Sequence, residues 1–289
     1  MGDDRASRAG PPPGTREDGA VNARRDLEDG PARARHAYFD DPSGVVALAH
    51  RGFALDGREN SLTAFGTAVD LGFRYVETDA HATSDGVAVA LHDDTLDRTT
   101  DAEGVVSELP WSVVRRARIG GVDPVPRLDD VLGTWPHLRV NVDVKSERAV
   151  LPVVAAIERT RAHDRVCVAS FSAARRRATV ARLSRPVATS AATGEVARFL
   201  AAHRAHLPRL AARALREVDA LQVPAAQGRL RVVDAGTVAA AHAAGRGVHV
   251  WTVNDPAEMH RLLDLGVDGI VTDRADLLRD VLRARGTWV

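Results

Sequence analysis

Short apolar runs bounded by turn residues alternate along this chain with segments whose apolar residues recur at helical spacing. VVALAH (45–50) reads as a buried strand. SLTAFGTAVDLG (61–72) carries Ser61 at the cap position, Leu62, Phe65 and Val69 on one helical face, and Gly72 as a stop. FRYVETD (73–79) predicts the second strand. After an insertion, the pattern gives a helix near 127–134, the strand LRVNVDVK (138–145), a helix near 147–162, RVCVASF (165–171), a helix near 173–183 and PVATSA (186–191). Helical sequence then runs to about 217, followed by ALQVP (220–224), a helix near 233–244 and GVHVWTVN (247–254). DPAEMHRLLDLG (255–266) has Asp255 as cap and Pro256 at the first helical position, and GIVTD (269–273) precedes a last helix. Eight strand and helix pairs joined by helix-length crossovers predict a parallel sheet closed into a (β/α)8 TIM barrel, whose site lies at the carboxyl ends of its strands.

Two segments break the pattern. Residues 1–43 are rich in Gly, Pro, Arg and Asp, with hardly any large apolar side chain, and are predicted to be a disordered tail ahead of a barrel domain over 44–289. VAVALH (87–92) is strand-like but follows the preceding strand by too short a turn for a parallel crossover. A β-hairpin turning at Ser84, Asp85 and Gly86 satisfies it and brings His92 back beside Asp79. An insertion of about 93–123 then follows.

Composition narrows the function. The 39 acidic and 39 basic residues cancel, which removes long-range attraction to nucleic acid or an anionic membrane. No apolar stretch approaches the ~20 residues of a membrane span, and the N-terminus lacks an apolar secretory segment, so the expected location is cytoplasmic. The single cysteine, Cys167, falls inside an apolar run and reads as a buried, inert thiol.

Polar residues at the ends of buried strands mark the chemistry. Strand one ends at His50 and Arg51; strand two ends with Glu77 and Asp79 on one side; Asn141, Asp143 and Lys145 share a face of strand three, with three valines on the other. With His92, these residues converge on one mouth. Glu77, Asp79 and Asp143 would repel one another without a cation, and oxygen-only ligands suit a hard divalent ion, Mg2+ or Ca2+. Such an ion flanked by Arg51, Lys145 and two histidines is a receptor for a phosphate ester, which points to metal-assisted phosphoryl transfer with His50 and His92 moving protons. Lys145 is the only lysine beside 38 arginines. That solitary choice implies a site for a compact point charge, where a guanidinium would chelate Asp143.

Other residues keep two readings. Trp251 either caps the barrel core or packs on substrate at the rim. Glu59 acts behind the metal or Arg51, or caps the first helix, with Asn60 beside it. Thr272 and Asp273 read as ordinary helix caps, His81 as a hairpin residue, and the clusters ARRRA (174–178) and VRRARI (114–119) as solvated helix faces.

HRG at His50, EN at Glu59 and Asn60, ETD, TSDGVAVALHD, VPRLDDVL (125–132), NVDVK, SF (170–171), WTVN (251–254) and DGIVTD (268–273) together resemble the glycerophosphodiester phosphodiesterases in order and spacing, from about residue 45 to 275. The resemblance implies a TIM barrel that cleaves small-molecule glycerophosphodiesters to sn-glycerol 3-phosphate and an alcohol with a divalent metal. It implies His50 and His92 as acid and base, Glu77, Asp79 and Asp143 as metal ligands, Arg51 and Lys145 as phosphate contacts, and the insertion as a segment over the mouth. The family usually has Glu where this chain has Asp143, which shortens the reach by roughly 1.3–1.5 Å. Phospholipase D type hydrolysis of lysophospholipids, and a noncatalytic barrel that binds phosphoesters, are the competing functions.

Overall fold

A computed structural model of the chain describes residues 1–2, 36–228 and 230–288. Eight parallel strands form the barrel: β1 (Val46–Ala49), β2 (Tyr75–Ala82), β4 (Arg139–Val144), β5 (Val166–Ala169), β6 (Ala188–Thr189), β7 (Ala220–Pro224), β8 (Gly247–Trp251) and β9 (Gly269–Thr272). The short β3 (Ala88–Ala90) pairs antiparallel with β2, and the barrel strands follow the order β6-β5-β4-β2-β1-β9-β8-β7. A single bridge between Ser190 and Ala220 closes the seam, helped by Asp219 N–H donating to Thr189 O at 3.0 Å and Ala191 N–H to Ala220 O at 2.9 Å. The strand expected at 186–191 is thus the shortest of the eight, because the Asp219 carboxylate takes the Thr189 N–H at 2.8 Å and its hydroxyl at 3.0 Å.

The helices start and stop where their sequences dictate. Ser61 caps α1 (Leu62–Asp70) by accepting from Ala64 N–H, and Gly72, at φ +96°, turns the chain out of it. The helical stretch before residue 217 divides into α2 (Thr193–Arg204) and α3 (Pro208–Ala214) because Pro208 cannot continue a helix. Asp255 caps α4 (Pro256–Asp264) with Pro256 in the first turn. Alternation sorts the strand residues: Val140, Val142 and Val144 join the layer between strands and helices, whereas Val46, Leu48, Tyr75, Cys167 and Val271 fill the barrel interior. Cys167 is fully buried there, and burial pushes its thiol pKa well up.

The expected tail lies, over residues 3–35, outside the described residues. Its last stretch, 36–43, is structured. Tyr38 and Phe39, on a single 3-10 turn, are buried in the interior cluster with Val46 and Tyr75, the first residues of β1 and β2. Tyr75 donates its hydroxyl to Tyr38 O at 2.8 Å, and Asp41 holds Arg74 at 2.8 Å. The two aromatic rings seal the amino-terminal end of the barrel, and Asp41 locks the plug to the start of β2. Among the described residues no helix is long and apolar enough to cross a membrane.

The hairpin forms as its sequence requires. Thr83 donates to Asp85, Val87 N–H donates back to Thr83, and Gly86 sits at φ +80°. The insertion that follows builds a satellite core of Leu91, Leu96, Val106, Val114, Ile119 and Val125.

Candidate active site

The turn after β1 is the first functional device. Arg51 and Gly52 both have positive φ, at 54° and 83°, and a Cβ on Gly52 would lie 2.7 Å from the Ala64 carbonyl carbon. Only glycine fits that close approach. The strained Arg51 backbone points its N–H at Glu77 Oε2 (3.2 Å) while the side chain turns back, with Nη1 donating to Glu59 Oε1 at 2.9 Å and Nε 3.1 Å from Asp79 Oδ2. Asn60, also at positive φ, accepts from Thr78 Oγ1 at 2.7 Å and donates to Asp79 Oδ2 at 3.1 Å.

Glu77 and Asp79 from β2, and Asp143 from β4, face the interior, with Asp79 and Asp143 side by side in the ladder. Lys145 lies between these two, its ammonium 2.7 Å from Asp79 Oδ1 and 2.9 Å from Asp143 Oδ2. Burial opposes ionisation of Asp79, but Lys145 and Arg51 outweigh it and hold its pKa below the usual carboxylate value. Glu77 goes the other way. Burial, then the charges of Asp79 and Asp143, push its pKa to about 8. Beneath them Gln222 donates to Asn141 at 3.0 Å, closing the floor of the site with a polar layer.

Each predicted histidine carries a carboxylate on its Nδ1. His50 Nδ1 is 2.6 Å from Asp273 Oδ1, and Asn254 in turn donates to Asp273 Oδ2 at 2.8 Å. Burial lowers the proton affinity of His50, but the hydrogen bond that its Nδ1–H donates to Asp273 and the charge of Glu77 prevail, so its pKa is raised. His92 is carried to the same rim by the hairpin, and its Nδ1 is 2.6 Å from Asp93 Oδ1. Arg98 of the insertion donates to Asp93 Oδ2 at 2.6 Å and to Glu59 Oε1 at 2.7 Å.

The structure therefore brings together His50, Arg51, Glu59, Asn60, Glu77, Asp79, Asp143 and Lys145, with His92 beside Asp79. Glu59 does not cap the first helix; Ser61 does, and Glu59 braces Arg51. His81 donates from Nε2 to His92 O at 3.1 Å and pins the hairpin. The helix-cap reading of Asp273 is corrected: Arg274 takes the N-cap position of α5 (Ala275–Ala284) and the Asp273 side chain turns inward to His50. The signal for it was in the alternation, since Gly269, Val271 and Asp273 fall on one face. Thr272 donates to Asn254 Oδ1 at 3.0 Å and accepts from Arg274 N–H. Sequence reasoning missed Asp93 and Arg98 and gave Asn254 no role. Trp251 meets Phe171 edge to face at 6.0 Å, and the Lys145 ammonium lies 5.9 Å from the Phe171 ring, so an aromatic pair stands beside the carboxylate cluster.

Among the described residues no three His, Cys, Asp or Glu side chains are grouped as a ready-made metal site, and the Lys145 ammonium lies between Asp79 and Asp143. Two features nevertheless fit a hard divalent ion. Asp143 Oδ1 is buried without a hydrogen-bond partner, and Glu77 is driven toward its protonated form by burial and neighbouring carboxylates. The donor set is oxygen alone.

Residues 50–277 match the Glycerophosphoryl diester phosphodiesterase family. The chain is 48% identical over 246 residues to the probable glycerophosphodiester phosphodiesterase 2 of Mycobacterium tuberculosis, spanning 85% of this chain and 93% of that protein. Among solved structures, it is similar to the glycerophosphodiester phosphodiesterase of Agrobacterium tumefaciens, with 24% identity and a TM-score of 0.68 over 83% of this chain and 99% of that one. It is also similar to the Oleispira antarctica phosphodiesterase solved with the product sn-glycerol-3-phosphate, at 21% identity and a TM-score of 0.68, covering 82% and 96% of the two chains. Those two likenesses bear on the fold. The family match and the 48% identity bear on the chemistry: the chain belongs to the glycerophosphoryl diester phosphodiesterase family and is a phosphoric diester hydrolase.

Proposed function

We propose that this enzyme hydrolyses small glycerophosphodiesters to sn-glycerol 3-phosphate and an alcohol, with His50 and His92 as its proton-transfer pair. The observation that carries this reading is the pair of imidazoles at one rim, each with a carboxylate 2.6 Å from Nδ1. A carboxylate on Nδ1 fixes the proton there and leaves Nε2 to exchange protons with substrate. One ring removes a proton from the attacking oxygen and the other gives one to the leaving alcohol, so the P–O bond that breaks releases a neutral alcohol. Arg51 and Lys145 bind the phosphoryl oxygens. Trp251, with Phe171, flanks the glycerol.

Glu77, Asp79 and Asp143 are the residues that would hold Mg2+ or Ca2+, and such an ion would neutralise charge on the phosphoryl oxygens. Asn60 positions Asp79, and the Arg51 backbone N–H positions Glu77. The unpartnered Asp143 Oδ1 supports this assignment.

A second reading, hydrolysis of lysophospholipids, draws on exposed apolar side chains: Leu55 and Val122 are each 64% exposed and Phe171 61%. A noncatalytic role leaves two carboxylate-bound histidines without a purpose. The test is release of sn-glycerol 3-phosphate from glycerophosphocholine and glycerophosphoethanolamine by metal-stripped protein, with Mg2+, Ca2+ or Mn2+ restored and His50→Ala as control. Metal-dependent release that is lost in His50→Ala is expected. Turnover of lysophosphatidylcholine alone would favour the second reading, and no turnover of either class would overturn both.

A further inference from the structure

The insertion sends one charged side chain to two different parts of the site. Arg98 donates Nε to Asp93 Oδ2 at 2.6 Å and Nη2 to Asp93 Oδ1 at 3.0 Å, while the same Nη2 reaches Glu59 Oε1 at 2.7 Å. Asp93 Oδ1 is the atom on His92 Nδ1, and Glu59 Oε1 is the atom that accepts from Arg51 Nη1. An unbroken series of contacts between 2.6 and 2.9 Å thus runs from His92 through Asp93, Arg98 and Glu59 to Arg51.

We propose that Arg98 is a positioning residue, a single guanidinium that orients His92 through Asp93 and Arg51 through Glu59. This rests on the roles given to His92 and Arg51 in the proposed function.

The ordinary reading of a half-exposed arginine is a surface ion pair of little consequence. Three features argue against it here. The backbone around Arg98 is fixed, since Leu96 is fully buried in the satellite core, Thr100 N–H donates to Leu96 O at 3.0 Å, and Asp97 accepts from Gly104 N–H at 3.1 Å. A planar fork on a fixed backbone loses little entropy in making its contacts. Second, Arg98 and Arg51 share one carboxylate oxygen, an arrangement that brings two cations together and that solvation alone would not select. Third, Arg98 donates to both oxygens of Asp93, which fixes the plane of the carboxylate and so aims Oδ1 at His92 Nδ1; the same hydrogen bonds lower the Asp93 pKa. Asp93 stands to His92 as Asp273 stands to His50, and Arg98 stands to Asp93 as Asn254 stands to Asp273.

The consequence is a split effect. Losing Arg98 loosens His92, which lowers kcat, and releases Arg51, which raises KM for the diester. Arg98→Ala is expected to reduce kcat about 10- to 100-fold, the usual cost of removing a group that orients a functional histidine. Arg98→Lys, which keeps the charge without the fork, recovers only part of it. Because Arg98 acts on His92 through Asp93, Asp93→Asn with Arg98→Ala should have a kcat within about twofold of Asp93→Asn alone, a failure of additivity expected of groups in one chain of contacts. Arg116→Ala, an exposed position of the same insertion, serves as the unchanged control. Thermal melts report whether the variants are folded. Nitrogen-15 imidazole spectra give a readout that does not need turnover: His92 should be the Nδ1–H tautomer in the parent and a tautomer mixture in Arg98→Ala and Arg98→Lys. Parent-like kcat, KM and His92 spectrum in a folded Arg98→Ala would overturn the proposal, as would additive losses in the double variant. A parent inactive on all diesters whose His92 spectrum still changes on mutation would sink the diesterase reading and sustain the positioning role.

Discussion

Replacing Asp273 by asparagine should damage His50 more than deleting the side chain does, because the surrounding hydrogen bonds dictate which way the new amide faces. Asn254 Oδ1 accepts from Thr272 Oγ1 at 3.0 Å and from Asp273 N–H at 2.9 Å, so Asn254 Nδ2 is obliged to point at residue 273, where it now donates at 2.8 Å. An asparagine at 273 avoids a donor–donor clash by presenting its oxygen to Asn254. Its NH2 then faces His50 Nδ1, which must become an acceptor and move its proton to Nε2. The ring is held in the wrong tautomer. General acid–base catalysis contributes about 10²–10⁴ in rate, so Asp273→Asn should lose about 2.7–5.4 kcal/mol of transition-state stabilisation. Asp273→Ala, which leaves the ring free to sample both tautomers, should lose about 10- to 100-fold. The decisive comparison adds Asn254→Ala to Asp273→Asn: with the fixed donor gone, the introduced amide can turn its oxygen to His50, and the double variant should be faster than the single. Initial rates of sn-glycerol 3-phosphate release, coupled to glycerol 3-phosphate dehydrogenase, measure all four proteins. A double variant as slow as Asp273→Asn or slower would refute the tautomer argument.

Three further outcomes are expected. Lys145→Arg should lower kcat/KM at least about tenfold, ~1.4 kcal/mol, with the unfolding midpoint kept, because the ammonium occupies a gap between Asp79 and Asp143 that a planar guanidinium overfills; full turnover would contradict it. Arg176, expected on a solvated helix face with its neighbours in ARRRA, is instead fully buried with its guanidinium 2.6 Å from the buried Glu195 carboxylate, so Arg176→Met strips Glu195 of that partner and should cost about 3–5 kcal/mol, roughly 6–20 °C in Tm, most of which Arg176→Met with Glu195→Met recovers in a calorimetric melt. Metal-stripped protein titrated with Mg2+ or Ca2+ should gain about 2.7 kcal/mol of stability at one hundred times Kd, a gain that vanishes in Asp143→Ala if that carboxylate is a ligand.

The barrel was legible because buried parallel strands and their crossover helices leave strong periodic signals, and even the hairpin could be read from Thr83 to Gly86, where turn chemistry is local. His50, Glu77, Asp79, Asp143 and Lys145 were legible for a related reason: charged residues stand out at the ends of apolar strands. Asp273 was not, since an aspartate before a helix has a local use as a cap, and only the tertiary placement of His50, 223 residues away in sequence, decides against it. Arg98 lies in an insertion without periodicity, where one arginine among many carries no distinguishing mark. Tyr38 and Phe39 escaped notice because a Gly- and Pro-rich stretch hides two aromatic residues whose partners lie at the starts of β1 and β2.

That aromatic plug fixes an orientation. The chain enters the described fold at Tyr38 and Phe39, at the end of the barrel opposite the strand ends that carry His50 and Asp143. A reporter, tether or partner protein joined just ahead of residue 36 is therefore attached at the closed end, and an enzyme anchored to a surface by that end would present its open mouth to the surrounding solution.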